Sequence, residues 1–166
     1  MTATDDCLCA RYDSPLGPML LAARRGGLAG LWFEGQKHWP QGAGGWRQDP
    51  GHPVLGQAIR QLDDYFAGRR EGFELPLDLS GGTAFQARVW QALQAIPAGA
   101  TVSYGALAAS IGAPAAVRAV GAAVGRNPVS IVVPCHRVLS AGGALTGYAG
   151  GLERKTALLR LEGALH

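Results

Sequence analysis

The hydrophobic pattern of this chain changes period once, and that change constrains the fold more than any other feature. The first part carries three short apolar runs, Leu8 to Tyr12, Pro18 to Ala23 and Leu28 to Phe33, separated by Asp13-Ser14-Pro15-Leu16-Gly17 and by Gly26-Gly27. Runs this short, bounded by turn chemistry, predict an antiparallel meander. From Gln36 to His52 the chain turns to Gly, Pro, Gln and Trp, which predicts a surface loop whose Trp39 and Trp46 cap the core. From Pro53 the period becomes helical. Leu55, Ile59, Leu62 and Phe66 share one face, Pro53 suits the first turn and Gly68 supplies the stop. Phe73 to Leu79 reads as an edge strand, because Pro76 cannot donate to a central ladder.

Beyond Gly81 helices dominate. Thr83 can cap a helix with Phe85, Val89, Leu93 and Ile96 on one stripe, ending at Pro97-Ala98-Gly99. After a short strand at Thr101 to Ser103, Tyr104 to Ile111 and Ala115 to Val124 read as helices around Gly112-Ala113-Pro114, the spacing of a helix-turn-helix. The expected class is thus α/β of the α+β kind. An N-terminal α/β domain with an antiparallel sheet occupies 1–81, and a helical domain containing the helix-turn-helix occupies 82–166.

Charge follows the same division. Residues 1–81 carry eight Lys/Arg and ten Asp/Glu, a net −2, while 82–166 carry seven and two, a net +5. The second part is the better nucleic-acid face. Arg118 stands early in its second helix beside only Ala, Val and Gly, and such small side chains let a helix lie close against a partner's backbone. No run approaches the ~18 apolar residues of a membrane span. The segment Met1-Thr2-Ala3-Thr4-Asp5-Asp6 lacks the basic and apolar regions of a signal peptide, so a cytoplasmic protein with no membrane partner is expected. Three reduced cysteines fit that compartment, and Cys7 and Cys9, two apart, point to one face of a strand. With His38 and His52 they form no tight ligand pairs, so neither a metal nor another cofactor is expected.

Ile131-Val132-Val133 reads as a buried strand stopped by Pro134, and Cys135-His136-Arg137-Val138 follows. A thiol with a pKa near ~8.5 is only a few per cent thiolate at pH 7, and His136 and Arg137 supply the basic surroundings that raise this fraction. Neighbouring side chains on an extended chain point apart, so proton transfer from Cys135 to His136 requires a turn or a bridging water. A lone cysteine in such a run is ordinarily a small buried hydrophobe. The surrounding residues give it chemistry.

The segment Asn127 to Val138, with Thr146-Gly147-Tyr148-Ala149-Gly150-Gly151, closely resembles the active-site signature of the 6-O-alkylguanine-DNA alkyltransferases. The likeness extends through Phe85 to Trp90, Ser103-Tyr104, Ala116 to Gly121 and Leu161-Glu162-Gly163, and reaches Asp13 to Gly17. It implies the N-terminal domain packed on the helical one, whose recognition helix enters the minor groove. It makes Cys135 the acceptor nucleophile, His136 its base through water, and Glu162 the group that orients the imidazole. Asn127 ties the turn before the active strand to the recognition helix. By the same resemblance, Tyr104 would hydrogen-bond the leaving guanine, Arg118 would fill the gap left by a flipped nucleotide, and Ser103 and Ala119 would join Tyr104 and Arg118 at the DNA. Tyr148 and the backbone near Val138 and Ala149 line the pocket. The implied function is single-turnover transfer of an alkyl group from 6-O-alkylguanine in double-stranded DNA, with 4-O-alkylthymine a further candidate. The implied state is a monomer, with clustering along DNA left open. Ser130 and Ala149 depart from the proline and serine that many family members carry, so at Ala149 only the backbone N–H is available.

Three rival readings compete, one of them a transcription regulator carrying this domain fused to a sensor, against which the lack of a four-cysteine metal site argues. A non-enzymatic protein that binds alkylated DNA keeps the helix-turn-helix and the finger but lacks a reactive thiol, and Cys135 argues against it. A cysteine hydrolase using Cys135, His136 and Glu162 turns over repeatedly and needs no DNA face.

Overall fold

A computed structural model describes residues 7–165; the reading of Met1 to Asp6 lies outside them. The meander forms as its turn chemistry dictates. Strands β1 (Leu8–Ser14), β2 (Gly17–Arg24) and β3 (Gly27–Phe33) pair antiparallel. The β1–β2 turn closes at Gly17, whose φ of +121° suits glycine. One face of the sheet, with Met19, Leu21, Leu31 and Phe33 fully buried, packs on helix α1 (Pro53–Phe66). This face and the helical half share a single apolar core, so the two parts are packed together and not merely tethered.

The segment read as loop is more structured than expected. Ala43–Gly45 forms a 3₁₀ turn, and β4 (Arg47–Gln48) adds parallel to β1, giving the sheet order β3-β2-β1-β4. Trp46 packs on Trp32 with ring centroids 5.8 Å apart, over Cys7 and Cys9 on the second face of the sheet. Trp39 does not cap the core, because 39% of it remains exposed. The expected edge strand at Phe73 to Leu79 shrinks to one bridge between Leu28 and Leu77. Pro76 contributes only its carbonyl, which accepts from Leu28 N–H at 2.7 Å.

In the second half, Thr83 and Gln86 form a reciprocal capping box at the start of α2 (Ala84–Leu93). The short strand β5 (Val102–Ser103) pairs parallel with β6 (Val138–Leu139). Helices α3 (Tyr104–Ser110) and α4 (Val117–Gly125) follow β5 and pack on α2. The Trp90 indole N–H donates to the Ala123 carbonyl at 2.8 Å, fixing α4 against α2. Helix α5 (Leu152–Leu161) closes the chain.

Ile131-Val132-Val133 is not a strand. These residues form a tight turn, with Val132 N–H donating to Ser130 C=O and Val133 N–H to Val129 C=O, and Ile131 takes a left-handed φ of +72°. Such a conformation costs a β-branched residue about 1–2 kcal/mol and persists only where its surroundings enforce it. Asn127 enforces it here. Its side-chain amide donates to Val133 C=O at 2.7 Å, and its oxygen accepts from Val129 N–H at 3.0 Å. Ser130 N–H and Pro128 C=O bond Leu31 of β3, so the turn also rests on the sheet. The apolarity that suggested a strand records burial, not extension.

Candidate active site and nucleic-acid interface

The turn delivers the chain into a single 3₁₀ turn, Cys135–Arg137. Cys135 is 5% exposed and His136 fully buried. Burial pushes the Cys135 thiol up, while hydrogen bonding from Asn127 and the charge of Lys155 pull it back. Asn127 thus contacts both the turn and the sulfur it presents.

The imidazole is fixed from behind. His136 Nε2 lies 2.7 Å from Glu162 Oε2, on the residue that caps the end of α5. Burial pulls the Glu162 carboxyl up, but hydrogen bonds from His136, Arg137 and Tyr65 outweigh it and hold the pKa down at about 2. Glu162 is therefore an anion at neutral pH. Burial pulls His136 below its ordinary value despite that anion, so the imidazole rests neutral with its proton on Nε2, the tautomer this hydrogen bond requires. Nδ1 is left with its lone pair, buried and without a protein partner among the described residues. No hydrogen bond joins it to Cys135 Sγ, so a proton passes between them only by way of a small bridging group such as water.

Three further groups complete the centre, of which the sequence reading names only Arg137, as a basic neighbour of the thiol; the structure turns it to Glu162 instead, and Lys155 is the cation that acts on Cys135. Arg137 grips Glu162 with Nε at 2.8 Å and Nη2 at 2.9 Å, and its Nη1 reaches Ile96 C=O at 2.5 Å. Tyr65, from α1 in the N-terminal half, donates to the same Glu162 Oε2 at 2.6 Å. Lys155 is fully buried, with Nζ donating to the carbonyls of Val138, Thr146 and Gly147 at 2.7, 2.9 and 3.1 Å. Burial lowers its pKa to about 8 although the charge on Cys135 opposes this. An ammonium satisfied only by neutral carbonyls near a thiol favours the thiolate. Arg137 stood in the quoted motif, but Tyr65 and Lys155 left no local signal, since each meets its partners only in the folded chain.

A pocket of about 380 Å³ opens beside this centre, and its lining includes Tyr104, Gly147, Tyr148 and Ala149. Tyr104 is half-buried, with its hydroxyl 3.5 Å from Thr146 C=O, and both phenols lie within electrostatic reach of Cys135. The Tyr148 hydroxyl is buried and faces Ser130 without a well-formed hydrogen bond. Its ring packs so closely that a Cβ at Gly150 would meet it at 2.7 Å and Phe33 at 3.0 Å. Val138 is fully buried and does not itself line the pocket; its carbonyl accepts from Lys155, with a second lone pair left over.

Ser103 caps α3 by accepting from Ala106 N–H at 3.0 Å. On α4, Val117, Arg118, Ala119 and Ala122 form an exposed face of small residues from which Arg118 projects, while Val120, Ala123 and Val124 face the core. This helix has the form of one that docks against a backbone.

The comparisons agree along most of the chain. Residues 84–164 match the model of the 6-O-methylguanine DNA methyltransferase DNA-binding domain, and residues 7–79 match that family's ribonuclease-like domain. A methylated-DNA–protein-cysteine methyltransferase of Mycobacterium leprae is 51% identical over 93% of this chain and 91% of its own. One from Methanosarcina acetivorans is 46% identical over 93% and 97%. Among solved structures, Mycobacterium tuberculosis OGT in complex with DNA superposes with a TM-score of 0.86 at 49% identity, covering 95% of this chain and 93% of that one.

Proposed function

The chain belongs to the 6-O-methylguanine DNA methyltransferase family, and from that premise we propose how its own residues carry out the reaction. The protein is a methylated-DNA–protein-cysteine methyltransferase, repairing DNA by moving an alkyl group from a damaged base onto one of its cysteines. We assign Cys135 as the acceptor and 6-O-alkylguanine in double-stranded DNA as the substrate. The observation that carries this assignment is the His136–Glu162 hydrogen bond next to Cys135, with two phenols that line a pocket lying within electrostatic reach of the thiol.

The alkyl carbon of a stacked base is closed to in-line attack, so the nucleotide rotates out into the pocket, at a cost of a few kcal/mol that Arg118 and phosphate contacts offset. Through a bridging water, His136 Nδ1 takes the Cys135 proton. Sulfur bonds to the alkyl carbon as the carbon–O6 bond breaks, and that electron pair stays on guanine. Tyr104 hydrogen-bonds the ring, and the proton lost by the thiol returns to guanine, which leaves neutral. Glu162, held ionised, orients the imidazole and stabilises its charged form without taking the proton. The product is a thioether whose sulfur is too poor a leaving group for hydrolysis, so one protein repairs one lesion. We place this chemistry in a monomer in the cytoplasm, with the residues that flip and hold the damaged base drawn from 82–166.

Arg118 separates flipping from chemistry. Arg118→Ala should lower transfer from methylated duplex by about tenfold or more, because unstacking then goes uncompensated. Free 6-O-benzylguanine needs no flipping and should react with this variant at close to the normal rate. Single-turnover transfer on both substrates, at saturating DNA, makes the comparison. Equal losses on the two would show that Arg118 supports the fold or the pocket instead.

A further inference from the structure

One wall of the base pocket comes from the N-terminal half, and that wall is cationic. Lys37 and His38 line the pocket from the loop after β3, Arg126 lines it from the end of α4, and no lining residue is acidic. The loop is held in place. Lys37 N–H donates to Ala149 C=O at 3.1 Å, tying the loop to the segment that carries Tyr148. Gln36 accepts from Phe33 N–H at 2.8 Å and donates to Lys37 C=O at 3.2 Å. His38 sits at a left-handed φ of +58°, costing a non-glycine residue about 1 kcal/mol or more. Besides burial, Arg126 and Lys37 both oppose protonation of His38, so the two permanent cations stand close enough to the imidazole to act on its charge.

Lys37 from the pinned loop and Arg126 from the end of α4, with His38 as a third polar group and no acid in the lining, are unfavourable alone and favourable around a shared anion. A base entering the pocket brings its own phosphodiester. We propose that Lys37, His38 and Arg126 form a clamp, built from both halves of the chain, on the backbone phosphate of the flipped nucleotide. The inference rests on the flipped-base reading above. Arg118 and Arg126 stand at opposite ends of α4, about 12 Å apart at 1.5 Å per residue. One helix thus offers a cation to the gap in the stack and another to the extruded nucleotide. The N-terminal half, net negative overall, then grips DNA at this one point.

The test replaces the two phosphates flanking 6-O-methylguanine in a duplex by neutral methylphosphonates. Wild-type protein should bind this duplex about tenfold more weakly than the all-phosphate one. The double variant Lys37→Gln/Arg126→Gln should show a similar loss on the all-phosphate duplex, little further loss on the neutral one, and a salt slope of log Kd shallower by about one to two. The charge-keeping Lys37→Arg/Arg126→Lys should restore most of the binding. Indifference of the wild type to the neutral phosphates overturns the clamp, whatever the variants do. So do losses in the glutamine variant that are equal on the two duplexes. Failure of the underlying reading looks different, for then neither duplex nor free 6-O-benzylguanine leaves an adduct on Cys135.

Discussion

Cys135→Ser should bind methylated duplex within about threefold of wild type and transfer no measurable alkyl group, a loss of at least about a thousandfold. The alcohol is far less acidic than the thiol, and the means that favour a thiolate here are tuned to sulfur: one amide from Asn127 and the charge of Lys155. Neither can ionise a hydroxyl. Serine is close in size and fits beside Asn127, so the turn held by the Asn127 amide should survive, and with it the DNA-facing α4. Single-turnover incubation with labelled duplex, alongside binding by fluorescence anisotropy, checks both halves of this expectation. A serine variant that binds weakly would instead make the cysteine part of the fold.

Glu162→Gln should damage both activity and stability. The carboxylate neutralises Arg137, which is buried, and meets His136 and Tyr65 as well. Its removal leaves a buried guanidinium uncompensated, a change that typically costs about 3–5 kcal/mol. Transfer at neutral pH should fall about tenfold or more, because the imidazole loses the anion that fixes its tautomer and stabilises its charged form. In the wild type, this carboxylate should give stability a distinctive pH dependence. The carboxyl pKa is held at about 2 in the folded protein against a usual 4.5, so the unfolded chain binds its proton first as pH falls. The stabilisation is therefore complete above about pH 4.5 and is lost as pH drops toward 2, roughly 3 kcal/mol by linkage. Urea unfolding of wild type between pH 6 and 2 should show this decline, and the Glu162→Gln variant should lack that component. Parallel declines in both proteins would move the effect to other acids, such as Asp78, which Arg24 and Ser80 hold well below its ordinary value.

The pattern of periods made the meander, α1, the capped α2 and the pair α3–α4 legible, because each is set by local signals: turn residues, a cap, an apolar stripe. Two misreadings have one cause. The run Ile131-Val132-Val133 and the Trp-rich loop offer only composition to a sequence reading, whereas their conformations are set at a distance, by Asn127 and Leu31 for the first and by β1 and Trp32 for the second. The candidate site divides the same way. Cys135, His136 and Glu162 stood out through their motif, and the 2.7 Å contact brings the last two together. Tyr65 is 97 residues from Glu162 along the chain, and Lys155 resembles any basic residue on an amphipathic helix until its burial is seen. A residue whose partners are all backbone carbonyls leaves no pairing pattern to read.

The central claim is that Cys135 itself becomes alkylated, once and irreversibly. Intact-mass and peptide mapping after incubation with excess duplex containing 6-O-methylguanine tests it most directly. One added methyl per protein is expected, about 14 Da by replacing hydrogen with CH₃, on the peptide containing Cys135, stable over time and matched one for one by restored guanine. Repeated turnover without an adduct, or a methyl group on Cys7 or Cys9, would contradict it.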